Sequence, residues 1–207
     1  MKSNPIAAAT GRDEVTAVIL AGGLGRRMSA DGCGIDKGMV PFLGRPLVQH
    51  VIERVAPQIS TLLLNVDPSL KAWHRFGLEF CPDRIAGRPG PLAGIHAALL
   101  AAQTPWLLSV PCDTPHLPLD LLARLTEVQR SSGADRVSVR CGTQAHPVIA
   151  LVHRSVAPGL EAYLAGGGRR IESWLAEGLW AEALFDDALA FANLNTADEL
   201  AQLENPR

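Results

Sequence analysis

The feature that most constrains this chain is a set of short apolar runs that each stop at small or polar residues. TAVILAG (16–22), TLLLNVD (61–67) and PWLLSVPCD (105–113) are almost continuously apolar, and LEFCPD (78–83) is a shorter run of the same kind. Runs without polar alternation are strands buried on both faces, which means a parallel sheet covered by helices. The intervening stretches have helical spacing. In PLVQHVIERVAPQ (46–58) the apolar residues Leu47, Val48, Val51, Ile52 and Val55 fall on one face. PSLKAWHRFG (68–77) reads as a short helix closed by Gly77. PLAGIHAALLAAQ (91–103) and PLDLLARLTEVQRS (118–131) read as longer ones.

Beyond them, ADRVSVRC (134–141) and HPVIALVH (146–153) predict two strands in a hairpin around Gly142 and Thr143. SVAPGLEAYLAGG (155–167) and RIESWLAEG (170–178) predict helices. WAEALFD (180–186) is ambiguous, and TADELAQLE (196–204) opens with a capping-box pattern at Thr196 and Glu199. The expectation is an α/β fold of three α/β/α layers, Rossmann-like, with a mostly parallel central sheet. No repeat or linker interrupts the 207 residues, so one domain is expected, with 1–14 as a frayed tail.

Composition narrows the function. A formal net charge of -2 provides no global basic field for a nucleic acid. No apolar stretch is long enough to span a bilayer, and the N-terminus MKSNPIAAATGRDE lacks the apolar core of a secretory signal. Cys33, Cys81, Cys112 and Cys141 are scattered, without a C-x-x-C pair, which reads as reduced thiols in a cytoplasmic protein.

In open parallel sheets, ligands bind beyond the carboxyl ends of the strands. Those ends carry Ala21-Gly22-Gly23, Asn65-Val66-Asp67, Pro82-Asp83 and Pro111-Cys112-Asp113. After Leu20, the loop AGGLGRRM brings backbone N–H groups and the cations Arg26 and Arg27, with Lys37 downstream. Glycines admit an anion close to the backbone, so a polyphosphate fits. The loop is neither a P-loop nor a dinucleotide fingerprint, and an ordinary turn with solvated arginines remains open. Asp113 suits Mg²⁺, which takes only one or two protein carboxylates. It could equally serve as an N-cap or Asx-turn for the next helix, where Asp120 competes for that role. Asn193 and Asn195 read as turn residues or as amide ligands.

With LAGGLGRRM, DKGMVPFLGRPLVQHV, GPLAG, PCDTP, HPVIAL and F-x-N-x-N-T in view, the chain resembles the molybdenum cofactor guanylyltransferase (MobA) family from about Val15 to Leu203. LAGG, RM and DK are shared with wider nucleotidyltransferases; PCDTP, HPxIAL and N-x-N-T are more specific. The resemblance implies a nucleotidyltransferase fold and a role for each matching residue. Leu20, Ala21, Gly22 and Gly23 would line GTP. Lys37 and Arg27 would meet its phosphates, Asn65 and Asp83 its base or ribose, and Asp113 its Mg²⁺. Gly90 to Gly94 would close on guanine. His146, Arg169, Arg170 and Asn195 are the candidates for the pterin side. The implied reaction joins GMP from GTP to molybdenum-molybdopterin and releases pyrophosphate. Transient contact with cofactor-insertion or acceptor molybdoenzyme proteins is implied as well. The residues between Met28 and Asp36 form a longer insertion than the family usually has. The alternatives are a cytidylyltransferase, a sugar-phosphate nucleotidyltransferase, or a non-catalytic nucleotide-binding carrier. The carrier would be marked by loss of Lys37 or Asp113, and both are present.

Overall fold

The computed structural model describes residues 11–22, 36–85 and 90–194. The expected strands form: β1 (Val15–Leu20), β4 (Thr61–Asn65), β5 (Glu79–Phe80), β6 (Trp106–Pro111), β7 (Arg136–Cys141) and β8 (Gln144–His153). The ambiguous WAEALFD is a strand, β9 (Trp180–Phe185), and β2 (Pro41–Phe42) pairs with β3 (Arg45–Pro46) in a separate small ribbon. The seven-stranded sheet runs β5-β4-β1-β6-β8-β7-β9. The pairs β5/β4, β4/β1, β1/β6 and β7/β9 are parallel, and β8 is antiparallel to both its neighbours. This is the three-layer α/β/α architecture with a mostly parallel sheet that the sequence predicts.

β1 explains the layering. All six of its residues are buried, and they alternate between two cores. Val15, Ala17 and Ile19 pack with Val48, Val51 and Val55 of α1 (Leu47–Val55) and with Leu121 and Leu125 of α3 (Leu121–Ser132). Val18 and Leu20 pack with Leu92, Ile95 and Leu99 of α2 (Pro91–Ala101), Leu160 and Leu164 of α4 (Ala157–Ala165), and Trp174 of α5 (Ile171–Leu175). Each such Val, Leu or Ile side chain contributes about 1.5–3 kcal/mol by leaving water.

The start of α3 is held differently from the sequence expectation. Asp120 occupies the N-cap position but makes no side-chain cap bond. Gln58, from the turn after α1, accepts from the Leu122 N–H at 2.9 Å and donates to the Pro118 carbonyl at 2.9 Å. The segment 68–77 is a 3-10 turn over Lys71–Phe76 rather than an α-helix, ending at Gly77 with φ of 64°. Arg12–Glu14, expected within a frayed tail, form a 3-10 turn that leads into β1; residues 1–10 and the capping box at Thr196 lie outside the described residues.

At the amino end of β7, Arg136 is buried and donates to the carbonyls of Trp174 (2.8 Å) and Leu175 (3.3 Å). Its guanidinium lies 4.8 Å from the Trp174 ring centroid, and Asp135 is its ionic partner at 3.5 Å. Burial lowers the pKa of Arg136 and raises that of Asp135. Among the described residues no helix is long and apolar enough to cross a membrane.

Candidate active site at the strand ends

The parallel ladder brings the strand ends to one level. Leu20 stands opposite Asn65 on β4 and opposite Pro111 on β6. The ladder continues past the strands, with the Ala21 N–H donating to the Asn65 carbonyl (3.1 Å) and the Cys112 N–H to the Leu20 carbonyl (3.2 Å). Residues far apart in sequence therefore surround one cavity of about 600 Å³. Leu20, Gly22, Asn65 and Asp83 line one side, and Asp113 and Asn193 lie towards the other. Gly90 and Pro91 bring the amino end of α2 to it, where the helix dipole favours an anion.

β8 supplies the remaining wall, from Gln144 to Ile149. Its pairing with β7 slips. Ser138 faces Ala150, but the next residue, Val139, faces His146. Pro147, Val148 and Ile149 are thus looped out of register, as in an enlarged bulge. Pairing of β6 with β8 also ends at Ser109 and Ala150, so Val110 and Pro111 have no partner on β8. The Ser109 hydroxyl donates to the Val148 carbonyl at 2.7 Å and holds the bulge. The cavity is the gap where β6 and β8 part.

Asp113 is the charged centre of this gap, and it does not cap α3. Its Oδ2 accepts from Lys37 Nζ, and both side chains are largely buried, at 15% exposure for Lys37 and 11% for Asp113. Its Oδ1 is buried and has no hydrogen-bond partner among the described residues. A buried, unpartnered carboxylate oxygen is costly, and a cation is the ligand it suits. No cluster of three or more His, Cys, Asp or Glu among the described residues could hold a metal by itself. Mg²⁺ fits that pattern, since it takes most of its oxygens from phosphates and water. Lys37 reaches the cavity through Asp113 rather than lining the wall.

Several expected ligands have other work. The Asn65 amide donates to the Cys81 carbonyl (2.8 Å) and to Asp83 Oδ1 (2.9 Å), so it orients Asp83. Gly94 does not line the cavity. A Cβ there would come within 2.3 Å of Asn65 Oδ1, so the glycine makes room for that side chain. Ala21 is buried in the core. His146 does line the cavity; it is buried, its ring lies 5.4 Å from that of Phe191, and desolvation lowers its pKa. Arg169 and Arg170 are not brought to the wall. Arg169 Nη1 donates to the carbonyls of Leu164 (2.9 Å), at the end of α4, and Gly168 (2.6 Å), in the turn after it. Arg170 is engaged through its carbonyl, which accepts from the Tyr163 hydroxyl at 3.0 Å. Gly23, Arg26, Arg27 and Asn195 lie outside the described residues.

The sequence profile of the MobA-like NTP transferase domain matches residues 17–181. The chain belongs to the MobA-like NTP transferase family. A molybdenum cofactor guanylyltransferase of Cupriavidus necator is 45% identical over 194 residues, covering 91% of this chain and 96% of that protein. One from Shewanella putrefaciens is 40% identical over 189 residues, covering 91% and 95%. Among solved structures, molybdopterin-guanine dinucleotide biosynthesis protein A from Archaeoglobus fulgidus matches with a TM-score of 0.75 and 28% identity, over 92% of this chain and 96% of that one. As a MobA-like chain, the protein is a nucleotidyltransferase.

Within this MobA-like site, the β8 wall (Gln144, Ala145, Pro147 to Ile149) escapes sequence reading, because HPVIAL looks like an uninterrupted strand. Asn193, which reads as a turn residue, lines the cavity, and its Oδ1 accepts from the Thr114 hydroxyl at 2.8 Å. The next residue ties the same segment to Asp113, with the Leu194 N–H donating to the Asp113 carbonyl at 3.0 Å. Burial, with the charges of Asp83 and Glu79, pushes the Cys81 thiol up to about 12, and burial pushes that of Cys112 up as well. Neither provides a thiolate at neutral pH.

Proposed function

We propose that this protein, acting as one domain in the cytoplasm, transfers GMP from GTP to the terminal phosphate of molybdenum-molybdopterin. The products are the molybdopterin guanine dinucleotide cofactor and pyrophosphate. The observation that carries the reading is the buried Lys37–Asp113 pair at a cavity with two unlike walls. One wall, Leu20, Gly22, Asn65, Asp83 and the start of α2, suits a nucleotide. The other, β8 with His146 and Asn193, suits an acceptor. The relatives' names support guanine as the base and molybdopterin as the acceptor.

In this reading an oxygen of the pterin phosphate attacks the α-phosphorus of GTP. One P–O bond forms, the α–β bridging bond breaks, and its electron pair leaves with pyrophosphate. The nucleophile is already an anion near neutral pH, so no general base is required. The chain's task is positioning and charge stabilisation. Lys37 offers its ammonium to the triphosphate, with Arg27 assigned to the same phosphates. Asp83, oriented by Asn65, accepts from base or ribose hydrogens. Asp113 Oδ1 would hold Mg²⁺, which supplies charge neutralisation across phosphate oxygens when bound. His146 and Asn193 face the pterin side, with Asn195 assigned there too. Contact with cofactor-insertion or acceptor molybdoenzyme proteins belongs to the same proposal.

Calorimetric titration with GTP, CTP and ATP, with and without Mg²⁺, tests it. GTP-selective binding that needs Mg²⁺ and weakens in Lys37→Ala is expected. Preference for CTP would move the protein to a cytidylyltransferase, and equal binding of all three would remove guanine selectivity.

A further inference from the structure

Lys37 is held by more than its partner. The residue before it, Asp36, accepts from the indole N–H of Trp73 through Oδ2 at 2.5 Å. The residue after it, Gly38, lies close against the Trp73 ring. A Cβ at Gly38 would come within 2.5 Å of Trp73 Cη2 and 3.0 Å of Cζ2, so no other residue fits there unmoved. The backbone turns tightly between them, with the Met39 N–H donating to the Asp36 carbonyl (2.9 Å) and the Val40 N–H to the Lys37 carbonyl (3.3 Å). Trp73 itself is fully buried in the 3-10 turn after β4, against Phe76. Lys37 thus projects to Asp113 from a backbone gripped on both sides by one indole.

We propose that Trp73 and Asp36 form a latch that sets the Lys37 ammonium on Asp113, which makes Trp73 a positioning residue for the nucleotidyl transfer. Hydrophobic burial alone explains the ring but not the direction of its N–H. A buried indole N–H needs an acceptor, and a backbone carbonyl would serve. Here the acceptor is the carboxylate next to the lysine. Burial pushes the Asp36 carboxyl above its ordinary range, and the Trp73 bond pulls it back towards the charged form. The catalytic part of the inference rests on the reading of Lys37 as the partner of the triphosphate; the latch itself does not.

The chain has three lysines, Lys2, Lys37 and Lys71, so competitive acylation with acetic anhydride, read by mass spectrometry, reports Lys37 against the exposed Lys71. Trp73→Phe keeps a ring and removes the donor. Asp36→Ala removes the acceptor without hollowing the core, should the first variant fold poorly. Each is expected to raise the Lys37 labelling rate relative to Lys71 on the order of tenfold, the scale of one hydrogen bond to a charged group. Asp36→Asn, whose amide oxygen still accepts, should restore slow labelling. Trp73→Phe should also weaken GTP binding about tenfold in the wild-type background and not at all in Lys37→Ala, because the two act as one unit. Unchanged Lys37 labelling in both variants at unaltered Tm would overturn the latch. An equal loss of GTP affinity with and without Lys37 would overturn the positioning role. If wild type binds no nucleoside triphosphate, the guanylyltransferase reading fails while the labelling still decides the latch.

Discussion

Two ion pairs lie at opposite ends of the sheet, and one of them opens onto the strand-end cavity. Asp135 with Arg136 sits at the amino end of β7; Lys37 with Asp113 sits past the carboxyl end of β6. Both are largely buried, and in both a carboxylate oxygen has no hydrogen-bond partner among the described residues. At Arg136 the protein closes in from all sides. Two carbonyls of α5 take its hydrogens, Trp174 covers it, and a Cβ on Gly178 would come within 2.6 Å of its Cζ. At Asp113 the unpartnered oxygen belongs to a residue that lines a cavity. Perturbed, buried charge alone does not mark a site. An open approach to that charge does.

The comparison breaks if the two pairs respond alike. The largest effect is expected at the closed pair. Arg136→Met should cost about 3–5 kcal/mol of stability, because Asp135 is left buried without its counter-charge. Chemical denaturation should show that loss, with GTP affinity of the folded fraction unchanged. Asp113→Asn should do the reverse. Turnover is expected to fall on the order of 10²–10³-fold, while Tm falls less than in Arg136→Met. Gly94→Ala sharpens the picture on the nucleotide wall. Its methyl must displace Asn65, so a stability loss of about 1–3 kcal/mol is expected, together with weaker GTP binding as Asp83 loses its orientation.

The smallest expected effect is one of pH. Burial depresses His146 from its ordinary value of 6.5. The unfolded chain therefore takes up a proton at this position before the folded one does. The stability it contributes is present above pH 6.5 and is lost as pH falls from there through the lower folded value. His146→Gln should flatten that share of the fall in Tm below pH 6.5, leaving His116 and His153, which burial also depresses, to account for the rest.

The wall proposed for the nucleotide was legible in the sequence because its polar residues interrupt apolar runs. Asn65 ends β4, Asp83 and Asp113 follow the ends of β5 and β6 within three residues, and a parallel ladder must bring such ends together. The β8 wall proposed for the acceptor was not legible. HPVIAL has the composition of a plain strand, and the slip that loops out Pro147 to Ile149 depends on Ser109, 39 positions away from Val148. The edge strand β9 was ambiguous because only Ala183 and Phe185 of its six residues are buried. Trp73 passed for an ordinary apolar residue, since its bond to Asp36 spans 37 positions. Gly94 was expected at the guanine for its place in GPLAG; the room it leaves for Asn65 depends on how α2 packs on β4.

The central claim is that the strand-end cavity carries out guanylyl transfer at Asp113 and Lys37. Following label from the α-phosphate of GTP into molybdenum-molybdopterin tests it most directly, with wild type, Asp113→Asn and Arg136→Met compared at equal folded concentration. The account predicts label in the pterin product with wild type and Arg136→Met, and a loss on the order of 10²–10³-fold with Asp113→Asn. Equal transfer by Asp113→Asn, or none by wild type supplied with both substrates and Mg²⁺, would contradict it.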